Sequence, residues 1–344
     1  MSAQLEKQAS FQATFAHNFW KQLFTRVPPI PASIGLLTGK TVLVTGSNTG
    51  LGLEGVRHFL ALRPDLVIMA VRSVEKGEAA AAGLRGEFPG VRIEVWELDM
   101  ESLRSVQAFA ARCERELDRL HIALLNAGLG KLTFERVEEG GRHEVTIQVN
   151  YLATALLAIL LLPKMKPSVS SREPGRLSIV NSEACLGVTL DDPDESSLLD
   201  SLDRPEDFDG FGQYAKSKLL VMMFASKLAQ VVSPNDVTIN CSDPGATKGT
   251  AFFRMIDSWI ISKIVGAMLG VMGRQPTDAA RIYLHSTLVL GEESHGSWTD
   301  WKIRAWPKTM YTDTGRRIGD KLWDETLKEL EFAGVRERLN ETKH

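Results

Sequence analysis

The chain has 344 residues, 44% hydrophobic and 24% charged, with a formal net charge of −3. That is an ordinary soluble globular profile; the near-neutral charge gives no footing for nucleic-acid binding, and the length permits one large α/β domain with extensions or two small domains. Cys113, Cys185 and Cys241 are far apart and odd in number, so neither a disulfide framework nor a metal-ligand spacing follows, and a reducing, cytoplasmic location without a bound metal is expected.

The start, MSAQLEKQAS, lacks a basic segment followed by an apolar core, so no secretory signal is expected. Residues 1–38 carry Phe11, Phe15, Phe19, Trp20, Leu23 and Phe24, then Pro28, Pro29 and Pro31. The aromatic spacing predicts a helix that the prolines end. It reads as an extension packed on the outside of the main domain. The alternative is an interfacial membrane or partner helix, which a polar face with little basic charge disfavours.

The polar turn Thr38-Gly39-Lys40 leads into the β-branched run Thr41–Thr45, then Gly46-Ser47-Asn48-Thr49-Gly50-Leu51-Gly52. Helical apolar spacing follows from Leu53 to Leu60. Strand, glycine turn and helix in that order suit phosphate binding, because a helix N-terminus offers free N–H groups and a positive dipole end. The G-x-x-x-G-x-G spacing differs from the general G-x-G-x-x-G pattern.

Strand and helix then alternate. Strands are predicted at 66–71, 91–98, 121–125, 176–180 and 237–241, and helices at 73–87, 101–119, 142–162, 214–232 and near 277–290. This alternation implies a single doubly wound α/β domain of Rossmann type with a parallel sheet, over residues 39–290. The apolar run Leu152–Pro163 is too short to span a bilayer and reads as a buried helix. The polar or glycine-rich strand ends at 46–52, 72, 99, 126–128, 182 and 243–250 fall on one edge, where such sheets bind ligands.

Two segments interrupt the rhythm. Residues 187–212 are rich in Asp and Glu and read as a solvated loop beside the site, with gating of substrate as the sharper alternative. Residues 251–273 are unusually apolar, fitting either a lid over an apolar substrate or plain packing. Residues 291–344 form a C-terminal extension holding Trp298, Trp301, Trp306 and Trp323. Within it, Leu322, Trp323, Leu327 and Leu330 suggest a final amphipathic helix.

Tyr214 and Lys218, four apart, share one helix face. An ammonium beside a phenol favours the phenolate, which makes tyrosine a usable proton donor or acceptor. Such a pair alone is usually a surface feature; here it follows the glycine loop and a strand ending in Asn181-Ser182. At the end of the second predicted strand stands Arg72. An acidic residue there would favour NAD, whereas Arg72 can pair with a 2′-phosphate, helped by Ser73 and by Ser47 or Asn48. NADP(H) is therefore the expected cofactor.

With these parts in order, the sequence resembles the short-chain dehydrogenase/reductase family over about residues 39–290. Residues 45–52 match its T-G-x-x-x-G-x-G loop, so Gly46, Ser47, Asn48, Gly50, Leu51 and Gly52 are implied to line the cofactor. The resemblance further implies adenine contact by Asp99, a cofactor-lining stretch at Asn126, Ala127 and Gly128, and a turn near the nicotinamide at Pro244 and Gly245. Asn150, Ser182, Tyr214 and Lys218 match the catalytic tetrad: Ser182 would hold the substrate oxygen, Tyr214 exchange its proton, Lys218 lower the Tyr214 pKa and bind the nicotinamide ribose, and Asn150 hold a relay water. Two departures stand out. Residues 183–213 make the interval between Ser182 and Tyr214 longer than usual in the family, with Ser178, inside a strand, as the weaker serine candidate. Leu125 stands where the family often has asparagine. The inserted loop resembles the retinol-dehydrogenase-like branch and fungal biosynthetic reductases, and the two extensions look most like the latter.

The resemblance implies NADPH-dependent reduction of a ketone or aldehyde on a hydrophobic small molecule, such as a polyketide- or terpenoid-derived secondary metabolite. The alternatives are oxidation of a lipid-like retinoid or steroid alcohol, or a non-catalytic NADP-binding sensor or scaffold. The helices holding Tyr151–Leu162 and Tyr214 resemble the family's dimer-forming pair, implying a homodimer, although the extensions could equally cover that face.

Overall fold

The computed structural model describes residues 3–137, 142–168, 171–191, 197–248, 270 and 272–342. Among these, eight strands form one sheet in the order β3-β2-β1-β4-β5-β6-β7-β8. They are β1 (Thr41–Thr45), β2 (Leu66–Val71), β3 (Arg92–Glu97), β4 (Ile122–Leu125), β5 (Gly175–Val180), β6 (Val237–Ser242), β7 (Ser297–Thr299) and β8 (Ile303–Arg304). β1 to β7 pair in parallel, and β8 returns antiparallel to β7. The order reverses at β1, where chain connections leave in opposite directions, the place at which sheets of this kind bind ligands.

Helices cover both faces. In chain order they are α1 (Ala3–Gln12), α2 (Phe15–Phe24), α3 (Gly50–Ala61), α4 (Val74–Glu87), α5 (Leu103–Glu116), α6 (Val145–Met165), α7 (Gly210–Val231), α8 (Asp313–Glu329) and α9 (Val335–Glu341), with shorter turns between. β1, β2, β4 and β6 are almost wholly buried, which is why their sequences are continuous apolar runs rather than alternating ones. The sheet separates two apolar clusters. One gathers Leu43, Ile68, α5, α6, α7 and the C-terminal helices; the other gathers Val42, Val44, α3 and the 280–284 turn. α6 is long and apolar enough to cross a membrane, yet its most apolar window is 94% buried inside the fold, so its composition answers to the core.

Several expectations change in detail. The predicted N-terminal helix is two helices. The chain breaks at Thr14, whose hydroxyl caps α2 by accepting from the His17 N–H, as expected of an N-cap threonine. α2 does not simply lie outside: Lys21 reaches the buried Asp300, and Gln22, itself buried, reaches the Ala246 carbonyl. In the described part of the acidic segment Asp191, Asp200, Glu206, Asp207 and Asp209 are exposed, as a solvated loop requires, but the segment is also anchored to the core. Leu198, Leu199 and Leu202 are buried, and Glu325 of α8 accepts from the Leu198 and Leu199 N–H groups. The C-terminal extension adds two strands to the sheet as well as the amphipathic α8. Only residues 270, 272 and 273 of the apolar segment 251–273 fall among the described residues.

Candidate active site

The glycine loop is shaped by its own backbone. Gly46 and Gly50 take φ of +63° and +56°, a region glycine enters without the Cβ penalty. Gly52 has ordinary φ but no room: a Cβ there would sit 2.3 Å from the Gly46 carbonyl oxygen and 2.6 Å from Asn126 Nδ2. Asn126 donates from Nδ2 to the carbonyls of Thr45 (2.9 Å) and Gly46 (3.3 Å), and its Oδ1 accepts from the Tyr283 hydroxyl at 3.0 Å. The Thr45 hydroxyl accepts from the N–H groups of Asn126 and Ala127, both at 2.9 Å. The loop is thus stitched to the end of β4, with Asn126 and Ala127 as its structural support.

The loop fits an anionic group. Ser47 Oγ is buried without a hydrogen-bond partner, and Thr49 leads into α3 without a side-chain cap. Orphan helix N–H groups and an unpaired buried hydroxyl call for an external acceptor. Arg72 follows β2 directly, with its exposed guanidinium 2.5 Å from Glu101. Ser73 caps α4 by accepting from the Lys76 N–H. Asp99 Oδ1 accepts from the Glu101 N–H, so Asp99 sets the turn that carries Arg72's partner.

The four candidate catalytic side chains converge from β5, α6 and α7. Asn150 lies in a widened turn of α6, Gln148–Ala153, where the backbone pairs i to i+5; such bulges recur at functional sites. Its amide exchanges two bonds with Leu129, donating to the carbonyl (2.7 Å) and accepting from the N–H (2.8 Å), and also donates to Ser217 Oγ at 2.9 Å. Ser217 in turn donates to the Tyr214 carbonyl at 2.7 Å. Ser182 begins the turn after β5, where its Oγ accepts from the Ala184 N–H at 3.2 Å, and it lies close enough to the Tyr214 phenol to lower its pKa. Lys218 Nζ donates to the Val180 carbonyl at 3.0 Å and lies 5.8 Å from the Tyr214 ring centroid. Gly128 leaves the space beside it: a Cβ there would stand 3.2 Å from Asn150 Oδ1 and 3.5 Å from Lys218 Nζ. Ser178 lies inside β5, bonded to Ser242 and Ser286, and faces no part of this group.

Burial dominates the titration of the pair. It pushes the Tyr214 phenol well above its ordinary range, against the opposing hydrogen bond from Ser182. It also pulls the Lys218 ammonium down to about 8. The sequence led us to expect the lysine to depress the phenol. In the structure burial raises the phenol, and the ammonium is held on the Val180 carbonyl.

Three positions at this edge were not legible as site residues. Asn181 donates to the Lys218 carbonyl at 3.1 Å and accepts from the Ser182 N–H at 2.7 Å. Tyr283 buttresses Asn126. Asp243 accepts from the N–H groups of Glu183 (3.1 Å) and Gly245 (2.8 Å), joining the Ser182 turn to the Pro244-Gly245 turn. The only signals were adjacency, Asn181 to Ser182 and Asp243 to Pro244; nothing pointed to Tyr283.

A glycine loop at the sheet's switch point, with half-buried Ser182 and Tyr214 beside the buried Lys218 at the same edge, is an arrangement that suits a dinucleotide-linked oxidoreductase. Residues 40–189 match the family model for short chain dehydrogenase. The short chain dehydrogenase virL of Hypocrea virens is 46% identical over 348 aligned residues, covering 100% of this chain and 99% of that protein. The short chain dehydrogenase/reductase mfmJ of Annulohypoxylon moriforme is 42% identical, covering 94% and 93%. Among solved structures of lower identity, which bear on the fold, L-sorbose reductase of Gluconobacter frateurii, complexed with NADPH and L-sorbose, superposes with a TM-score of 0.58 at 21% identity, covering 78% of this chain and 98% of that one. An NADPH-bound short chain oxidoreductase of Pseudomonas aeruginosa gives 0.57 at 23%, covering 77% and 96%. The chain belongs to the short-chain dehydrogenase/reductase family and is an oxidoreductase of that family.

Proposed function

We propose that the protein reduces a ketone or aldehyde on a hydrophobic small molecule with NADPH, using Ser182, Tyr214, Lys218 and Asn150. The observation that carries this reading is that Ser182 and Tyr214 lie together beside the buried Lys218, whose ammonium is held on the Val180 carbonyl. Two hydroxyls so placed can both address one carbonyl oxygen. The nicotinamide, when bound, supplies the hydride. Tyr214 then gives the oxygen its proton, and Ser182 holds that oxygen in line. An alkoxide is a stronger base than a phenolate, so the transfer runs downhill even from a phenol of raised pKa. That raised pKa also keeps Tyr214 protonated before reaction, the state that reduction requires. Lys218, largely charged at neutral pH, stabilises the phenolate left behind and is read as the ribose contact. Asn150 orders the Leu129 and Ser217 side of the group and is read as the anchor of a relay water. Binding alone needs no Ser182–Tyr214 pair, which argues against a sensor or scaffold.

The choice of NADP rests on Arg72. Its exposed guanidinium, now paired with Glu101, would hold the 2′-phosphate of NADP as a charged partner. The glycine loop residues, Asp99, Asn126, Ala127, Gly128, Pro244 and Gly245 are read as the remaining cofactor lining. The NADPH complexes among the solved structures of this fold agree with that choice. An apolar substrate of the secondary-metabolite kind is supported by the composition of residues 251–273 and by the fungal sources of the relatives. The cytoplasmic reading rests on three buried free thiols. A homodimer through α6 and α7 is less well supported than self-coverage, because α8 and α9 pack on those helices.

The test is Tyr214→Phe. We expect loss of at least about a hundredfold in NADPH-dependent carbonyl reduction, with NADPH affinity retained when followed by its fluorescence. Retained turnover sinks the assignment. In parallel, Arg72→Ala should erase most of the preference for NADPH over NADH; an unchanged preference would refute the role of Arg72.

A further inference from the structure

The N-terminal extension enters the site. Lys21 of α2 is almost buried, and its Nζ donates to Glu183 Oε2 at 2.6 Å and to Asp300 Oδ2 at 2.7 Å. Glu183 follows Ser182 directly, and Asp300 closes β7. The neighbouring Gln22 is buried and grips the backbone of the Pro244-Gly245 turn. Its Nε2 donates to the Ala246 carbonyl (2.8 Å) and the Met272 carbonyl (3.0 Å), while its Oε1 accepts from the Ala246 N–H at 3.2 Å. Two adjacent residues of one short helix therefore reach both the serine turn and the turn read as lying by the nicotinamide. Asp243 already bridges those turns from below. We propose that Lys21 and Gln22 are positioning residues of the reaction, holding the Ser182–Glu183 corner and the 244–246 turn in register, so that α2 is a wall of the active site rather than an appendage. This rests on the reductase reading only for its kinetic consequence.

The charge arithmetic supports it. Glu183, Asp243 and Asp300 are three carboxylates in one partly dry space, with Arg304 Nε 3.6 Å from Asp300. Burial lowers the Lys21 pKa, but Asp243, Glu183 and Asp300 together raise it above the ordinary value, so the charge persists. Burial and Glu183 raise Asp243 above the ordinary carboxylate range, and Lys21 opposes them. Asp243 is faced by Lys21 of α2, Glu183 of the serine turn, Asp300 beyond β7, Arg274, Lys218 and Tyr214 of α7, with Cys185 and Tyr283. Without Lys21, Asp243 takes a proton at higher pH and loosens its hold on the Glu183 and Gly245 N–H groups.

The experiment compares the full chain with Lys21→Met, Lys21→Arg and Gln22→Met. Three readouts are amide hydrogen exchange in peptides covering 182–187 and 244–248, fluorescence titration with NADPH, and NADPH-dependent reduction of phenanthrenequinone as probe. We expect exchange in both peptides to quicken about tenfold in Lys21→Met and Gln22→Met. We expect kcat to fall about tenfold or more with a smaller change in KM, as a lost transition-state alignment requires. The acid limb of kcat should move to higher pH in Lys21→Met, and Lys21→Arg should restore both rate and limb. Folded variants with native exchange in both peptides, or native kcat and pH profile, overturn the proposal. If Lys21→Met does not fold, Gln22→Met, which removes no charge, decides. If the native protein reduces no carbonyl, the reductase reading fails while the exchange result still decides whether α2 sets the two turns.

Discussion

Gly52 shows how much one absent methyl matters. Its φ is ordinary, so no backbone strain is involved; what forbids a side chain is the Gly46 carbonyl 2.3 Å from the Cβ position. Gly52→Ala must push the loop away from Asn126 and spoil the hydrogen bonds that stitch it to β4. We expect it to weaken NADPH binding by at least about tenfold, the effect of shifting a preorganised anion site, and to lower the melting temperature. Gly83→Ala is the control. Gly83 lies within α4 with nothing within 4 Å of its Cβ position, so it should stabilise the protein by roughly 0.5–1 kcal/mol. Equal behaviour of the two variants in thermal unfolding and NADPH titration would show that the close approach at Gly52 has been misread. Residues of this kind were legible because a glycine loop and a Tyr–Lys pair are each confined to one short stretch. Lys21 and Gln22 were not, because their partners lie more than 160 residues away and a lone lysine in an aromatic helix looks like surface charge; nor was Asp243, whose bond to Glu183 joins two turns 60 residues apart.

Among the elements, the acidic segment departs most from its sequence reading. Its carboxylates suggested solvent, yet Asp203 is buried against His143 of the turn before α6. Asp203 Oδ2 is 2.5 Å from His143 Nδ1, and Oδ1 accepts from the Glu144 N–H at 2.6 Å. Glu329 of α8 lies 3.5 Å from His143 Nε2, an ion-pair distance. Burial alone would lower the His143 pKa; the two carboxylates overcome it and raise it to about 9. The sign follows from linkage. A histidine with a raised folded pKa contributes stability that is fully present below its unfolded value near 6.5 and is lost as pH rises through about 9. Melting temperature should therefore fall by a few degrees between pH 6.5 and 9 in the native protein, and much less in His143→Gln. A parallel fall in both would remove His143 from the account. The strand–helix alternation, by contrast, was readable from periodicity almost throughout, because buried parallel strands and amphipathic helices write their burial into the sequence. The short β7 and β8 were not, since three or two residues carry no period and their place is set by pairing onto β6.

At the scale of the whole molecule, the two extensions close surfaces that the central domain would leave open. α6 and α7 present an apolar face that the family resemblance assigned to a partner copy. Here α8 and α9 lie on it: the Tyr151 hydroxyl bonds Thr326, the Phe224 ring stacks on Trp323 with centroids 5.7 Å apart, and Lys227 pairs with Asp320. Ile318, Leu322, Leu327, Val335 and Leu339 are buried in the same cluster as α6 and α7. A dimer built on those two helices would have to displace this packing and expose it to water, at about 25 cal/mol for each Å² of apolar surface uncovered. Self-coverage is the lower-energy arrangement unless a partner offers a larger apolar area. We therefore expect light scattering to give the monomer mass of 38.0 kDa, and a chain ending at residue 312 to self-associate or precipitate as the α6–α7 face is exposed. A mass of twice the monomer for the full chain, unchanged by Trp323→Ala or Thr326→Val, would place the dimer contact elsewhere. A dimer that either substitution dissolves would mean instead that the tail itself forms the contact between copies.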